Sequence, residues 1–118
     1  MSIEQRDIIL LPFPFTNLSG QKKRPALVIS KGEFNAQSGD IIVVQITSKL
    51  TSGFSEYNVV IDINDLEVCY EKPIIKSLVK PYRIFSIEKR KVIKKIGKLS
   101  EKKFKEVLEK LVEVINFW

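Results

Sequence analysis

Two groups of side chains in this sequence have the types and spacing to do chemistry. Lys22, Lys23 and Arg24 stand in a row before Pro25 and the apolar run ALVI at 26–29, and the hydroxyls of Thr47 and Ser48 end the apolar run DIIVVQITS at 40–48. A planar guanidinium grips two oxygens of one phosphate, and neighbouring ammonium groups add attraction for a polyanion. Phe13 and Phe15, alternating with Pro12 and Pro14, add stiffly held rings that suit either closing a core or stacking on a base.

What is missing bounds the chemistry further. The chain has no histidine and a single cysteine, Cys69, so Ser-His and Cys-His nucleophilic catalysis are excluded, as are an internal disulfide and the usual imidazole and thiolate metal ligands. No cofactor and no metal site are expected. Any enzyme here works with hydroxyls, carboxylates, Lys and Arg. The net charge of +6 is unevenly placed: residues 1–71 carry 6 Lys/Arg against 9 Asp/Glu, whereas residues 72–118 carry 14 against 5. A basic half of that size favours a polyanionic partner, nucleic acid before membrane.

The elements that must position these residues follow from pattern. A chain of 118 residues with 44% hydrophobic residues fits one domain, 1–118, with an adequate core. Its apolar runs are too short to span a membrane and residues 1–5 show no signal-peptide pattern, so the expectation is a cytoplasmic protein. Residues 6–11 read as a first strand that leaves its ladder at Pro12. Arg24, preceding Pro25, is held extended at the start of a second strand. Residues 31–39 read as a loop, and 40–48 as a strand buried on both faces. Residues 57–63 alternate as a half-buried strand, and 64–72 read as an acidic connection. Residues 73–79 and 84–87 form one strand interrupted by Lys80-Pro81-Tyr82-Arg83, and 92–99 a final basic strand. Ser100 caps one amphipathic helix whose stripe runs from Phe104 through Val107, Leu108, Leu111, Val114 and Ile115 to Trp118, with Glu106 and Lys110 spaced to pair on its wet face. Six or seven short antiparallel strands and one late helix predict a mainly β fold, a barrel closed by a C-terminal α-helix.

Several stretches together carry a family likeness: DIILLPFPF at 7–15, Gly20, KRPALVIS at 23–30, Ile46-Thr47-Ser48, and the 77–87 segment ahead of a basic strand and helix. In that order they resemble the MazF/PemK toxins of type II toxin–antitoxin systems, over nearly the whole chain. The resemblance implies an SH3-like barrel, a homodimer, a cognate antitoxin as partner, and sequence-selective, metal-independent cleavage of single-stranded RNA. Matched to the family motif, Arg24 becomes the phosphate clamp and Thr47 the hydroxyl that orients the phosphate or relays a proton. Phe15, Lys22, Lys23, Ser48, Lys80 and Tyr82 become RNA-binding residues. Where the family often carries Arg-x-Asp, this chain has Lys80-Pro81-Tyr82, and nothing between residues 8 and 32 is acidic. The general base is therefore unassigned. The alternative on the same scaffold is a non-catalytic RNA-binding module, or an inhibitor of a protein target like the gyrase poison CcdB.

Overall fold

The computed structural model describes residues 2–13, 22–71 and 74–117. Its strands are β1 (Asp7–Phe13), β2 (Lys22–Val28), β3 (Asp40–Thr47), β4 (Val59–Ile61), β5 (Leu66–Cys69), β6 (Ser77–Glu88) and β7 (Lys94–Leu99), with helices α1 (Gly32–Gln37) and α2 (Glu101–Ile115). All seven strands form one sheet in the order β4-β6-β3-β2-β1-β7-β5, every pairing antiparallel. The sheet curls into a half-barrel, and α2 packs on it, as the strand and helix patterns predict.

Both faces of the central strands are buried, and the period of two assigns each side chain. Ile8, Leu27, Val44, Ile46, Ile61, Val79 and Leu99 share one face with Phe104 and Val107 of α2. Ile9, Leu11, Ala26, Val28, Ile41 and Val43 lie in a second cluster, with Phe85, Ile87 and Val92 at its margin. Burying side chains such as Phe104 and Val107 contributes about 1.5–3 kcal/mol each, which is what holds the helix in place. Ser100 caps α2 through its hydroxyl, which accepts the Lys103 N–H at 3.2 Å. On the outer face Glu106 pairs with Lys103 at 3.0 Å and Lys110 with Glu113 at 3.5 Å, replacing the expected Glu106–Lys110 pair. Trp118 lies outside the described residues.

Several expectations are corrected, the half-buried strand at 57–63 among them, which is paired only over Val59–Ile61. Residues 31–39 hold α1, which carries no apolar stripe; its buried Asn35 instead donates to the carbonyls of Ile3 and Ser30. The acidic connection at 64–72 contains β5, an edge strand of four residues that pairs with β7 and half-buries only alternate side chains. The strand read from 73 begins at Ser77, and the basic strand read from 92 begins at Lys94. β1 runs on through Pro12 to Phe13, opposite Lys23 and Lys22, because β7 pairs with it only over residues 7–10 and past that point one side of β1 is an edge, where proline is tolerated.

One divergence in the ladder organises the function. β2 pairs with β3 only over residues 26–28, opposite 45–43. Beyond that, residues 22–25 stay with β1, while Ile46 and Thr47 stay with β6. The two strands separate at the residues singled out from sequence and leave a cleft between them.

Candidate functional site

Where β2 and β3 part, a cleft of about 450 Å³ opens, with Lys23, Arg24, Thr47, Ser48, Ser77 and Glu71 as its polar lining. Its floor is apolar, built from Ile8, Ile46 and Ile96 on the helix-bearing face of the sheet. That size lies within the roughly 300–1,000 Å³ of small-ligand sites.

Arg24 is the defining group. It sits opposite Leu11 on β1, half-buried, and its Nε is buried with no hydrogen-bond partner among the described residues. A buried N–H left unpaired costs about 1–3 kcal/mol, so orphans of this kind are uncommon and call for an explanation. Thr47, at the end of β3, is 9% exposed, and its Oγ1 accepts the Lys49 N–H at 3.1 Å. That bond uses a lone pair and leaves the hydroxyl proton available to a ligand oxygen. Ser48 and Lys23 are exposed at the rim. Ser77 is buried and donates to the Ile75 carbonyl at 2.8 Å, so it shapes the wall.

Glu71 was not singled out from sequence. The Tyr70 N–H donates to the Ile96 carbonyl at 3.1 Å, which seats the chain leaving β5 against β7, and the curl of the sheet carries Glu71 to the cleft that Arg24 enters from β2. Its Oε2 lies 2.8 Å from Lys94 Nζ. The close β5–β7 approach depends on Gly97, where a Cβ would meet the Val68 carbonyl at 2.9 Å. Nothing in the local sequence of 66–71 signals this; only the pairing of a four-residue edge strand does.

The remaining expected residues are distributed differently. Between Val44 opposite Ile84 and Gln45 opposite Lys80, the register of β6 jumps, so residues 81–83 bulge out. Lys80 is 8% exposed and donates to Ser52 Oγ. Burial pushes its ammonium pKa down, and the nearby charges of Arg83 and Lys49 push the same way. The Tyr82 hydroxyl donates to Asn58 Oδ1 at 2.8 Å and accepts the Phe54 N–H at 3.0 Å, with the two rings edge to face. Both residues clasp a turn that passes through Gly53 at φ +74°, where a Cβ would strike the Tyr82 hydroxyl. Tyr82 also borders a smaller hollow with Phe54, Tyr57 and Val114, away from the Arg24 cleft. Lys22 opens β2 opposite Phe13. Phe15 lies outside the described residues.

Among the described residues no three His, Cys, Asp or Glu side chains cluster as metal ligands, and no helix is long and apolar enough to cross a membrane. The chain matches the family model of the PemK-like, MazF-like toxins of type II toxin–antitoxin systems over residues 4–115. No curated protein matches it significantly. Among solved structures it is similar to a MazE–MazF structure from Deinococcus radiodurans, with TM-score 0.76, 18% identity and 100% of each chain covered. It is similar also to the Mycobacterium tuberculosis toxin MazF-mt6, with TM-score 0.73, 17% identity and 94% and 97% of the two chains covered. A third similar structure is an endoribonuclease in complex with its cognate antitoxin from a mycobacterial species, with TM-score 0.74, 11% identity and 98% and 97% covered. At such identities these likenesses establish the fold, while the family model spans all but the ends of the chain. The protein belongs to the PemK-like, MazF-like family of type II toxin–antitoxin toxins.

Proposed function

We propose that this toxin is a metal-independent endoribonuclease that cleaves single-stranded RNA, mRNA included, in the cleft between β2 and β3. The observation that carries the reading is Arg24, which lines a cleft together with Thr47 and whose Nε is buried without a hydrogen-bond partner among the described residues. In the reaction the ribose 2′-oxygen attacks the adjacent phosphorus, the bond to the 5′-oxygen breaks, and a 2′,3′-cyclic phosphate and a 5′-hydroxyl remain. Negative charge accumulates on the non-bridging oxygens in the transition state. Arg24 supplies a fixed cation and paired donors for that charge, and Thr47 donates its hydroxyl proton to a phosphate oxygen. Lys23, at the rim, draws the backbone in.

Similarity to an endoribonuclease and to a MazF toxin supports the activity, and similarity to the MazE–MazF and endoribonuclease–antitoxin complexes supports a cognate antitoxin as partner. An acidic and apolar antitoxin segment suits a basic, apolar-floored cleft and would compete with RNA for it. The family resemblance adds a homodimer acting in the cytoplasm, with RNA sequence selectivity set by the 31–39 and 49–55 segments.

The test uses a long single-stranded RNA in EDTA. The expected products carry 2′,3′-cyclic phosphate and 5′-hydroxyl ends, and DNA of the same sequence stays whole. An RNA left intact, or cleavage that depends on added divalent metal, overturns the proposal.

A further inference from the structure

The cleavage just described needs a proton acceptor for the attacking 2′-hydroxyl, and the residues around Arg24 on β1, β2 and β3 supply none. The chain has no histidine, the guanidinium is permanently protonated, and the Thr47 and Ser48 hydroxyls are far too weak as bases at neutral pH. Among the described residues lining the cleft there is one carboxylate, Glu71.

We propose that the Glu71 carboxylate is the proton acceptor for the ribose 2′-hydroxyl, an inference that rests on the endoribonuclease reading. Glu71 Oε2 pairs with Lys94 Nζ at 2.8 Å. The β7 ammonium meets one oxygen, which orients the carboxylate, and the proton passes to the other. Arg24, for its part, makes no ion pair among the described residues, so the guanidinium and the carboxylate line one cleft without neutralising each other. A carboxylate repels phosphate, so its place in an anion-binding cleft suits the ribose side of the scissile unit, with Arg24 on the phosphate side. The division puts the base where the O–H bond breaks and the cation where charge develops.

The step balances without further reagents. The 2′-hydroxyl proton passes to Glu71 as the O2′–P bond forms, the P–O5′ bond breaks, and the leaving 5′-oxygen takes a proton from solvent water at the exposed rim. Glu71 then returns its proton to solvent.

Single-turnover cleavage of single-stranded RNA in EDTA tests this. Glu71→Gln, nearly the same shape, should slow cleavage by about 10²- to 10⁴-fold. Its affinity for the same oligonucleotide with 2′-deoxyribose at the cleaved position should stay within about twofold of native. Glu71→Ala should regain rate when formate, a diffusible carboxylate, is added. Native-like cleavage by Glu71→Gln, or a loss of rate matched by an equal loss of binding, overturns the assignment. A native protein that leaves RNA uncut removes the nuclease reading itself, a result distinct from native cleavage that Glu71→Gln leaves intact.

Discussion

Replacing Arg24 by methionine removes the guanidinium but keeps a flexible apolar stem, and it should separate stability from function in opposite directions. Arg24 Nε is buried without a partner among the described residues, and an unsatisfied buried N–H costs about 1–3 kcal/mol. Methionine relieves that cost and still covers the Ile8 and Ile46 floor, while losing part of the attraction the cation has for its surroundings. A net gain of about 1 kcal/mol is expected, which raises Tm by about 3–6 °C for a chain of this size. Losing a donor aimed at developing charge costs about 10²–10³ in cleavage rate. Thermal unfolding followed by circular dichroism and single-turnover RNA cleavage, run on the same preparations, read both quantities. A lower Tm for Arg24→Met would mean that the Nε is satisfied in the folded protein, and the argument that the cleft awaits an anion would fail.

Three other perturbations probe separate parts of the account. Tyr82→Phe removes the hydroxyl that joins Asn58 and the Phe54 N–H, so urea unfolding should show a loss of about 1–2 kcal/mol with cleavage little changed; an unchanged midpoint contradicts the clasp. Lys23→Ala should lower the slope of log affinity against log salt by about 0.7, whereas Lys80→Ala, at a lysine turned into the fold, should leave the slope alone; the reverse pattern would move the RNA path towards β6. Glu4 is held below the usual carboxylate range by its hydrogen bond to Lys98, and Lys98 is held above the usual ammonium range by the same contact. A carboxylate with a lowered folded pKa stabilises above its unfolded pKa and loses that contribution as pH falls through the folded value. Glu4→Gln should therefore be less stable than native at neutral pH and match it in acid, by urea midpoints taken across pH; a deficit that persists in acid refutes the ion pair as its cause.

What the sequence made legible was whatever rested on contiguous pattern. The run at 40–48 is apolar without interruption because β3 lies between β2 and β6 with both faces covered, and its polar end, Thr47, falls where β2 has peeled away. Arg24 was legible for the same reason, since Pro25 halts the apolar run where the ladder with β3 stops. The rest depended on long-range pairing. α1 is held by one buried asparagine, and β5 is too short for its alternation to stand out. Lys80 and Tyr82 read as phosphate and base contacts; Lys80 beside the β6 bulge and Tyr82 within it both hydrogen-bond to the 51–58 turn. Glu71 is the sharpest case. It is one acidic residue among several in a connecting stretch, and only the curl of the sheet brings it to the cleft that Arg24 lines.

The central claim is that one cleft, with Arg24 and Thr47 acting on the same phosphate, is the place of RNA cleavage. Its most direct test is single-turnover cleavage of one single-stranded RNA in EDTA by the native protein, Arg24→Ala, Thr47→Ala and the double variant. Each single change should slow cleavage by about 10²-fold or more, and the double variant should lose less than the two combined, because residues acting as a unit are not additive. Undiminished cleavage by both single variants, with the native protein active, would contradict the account.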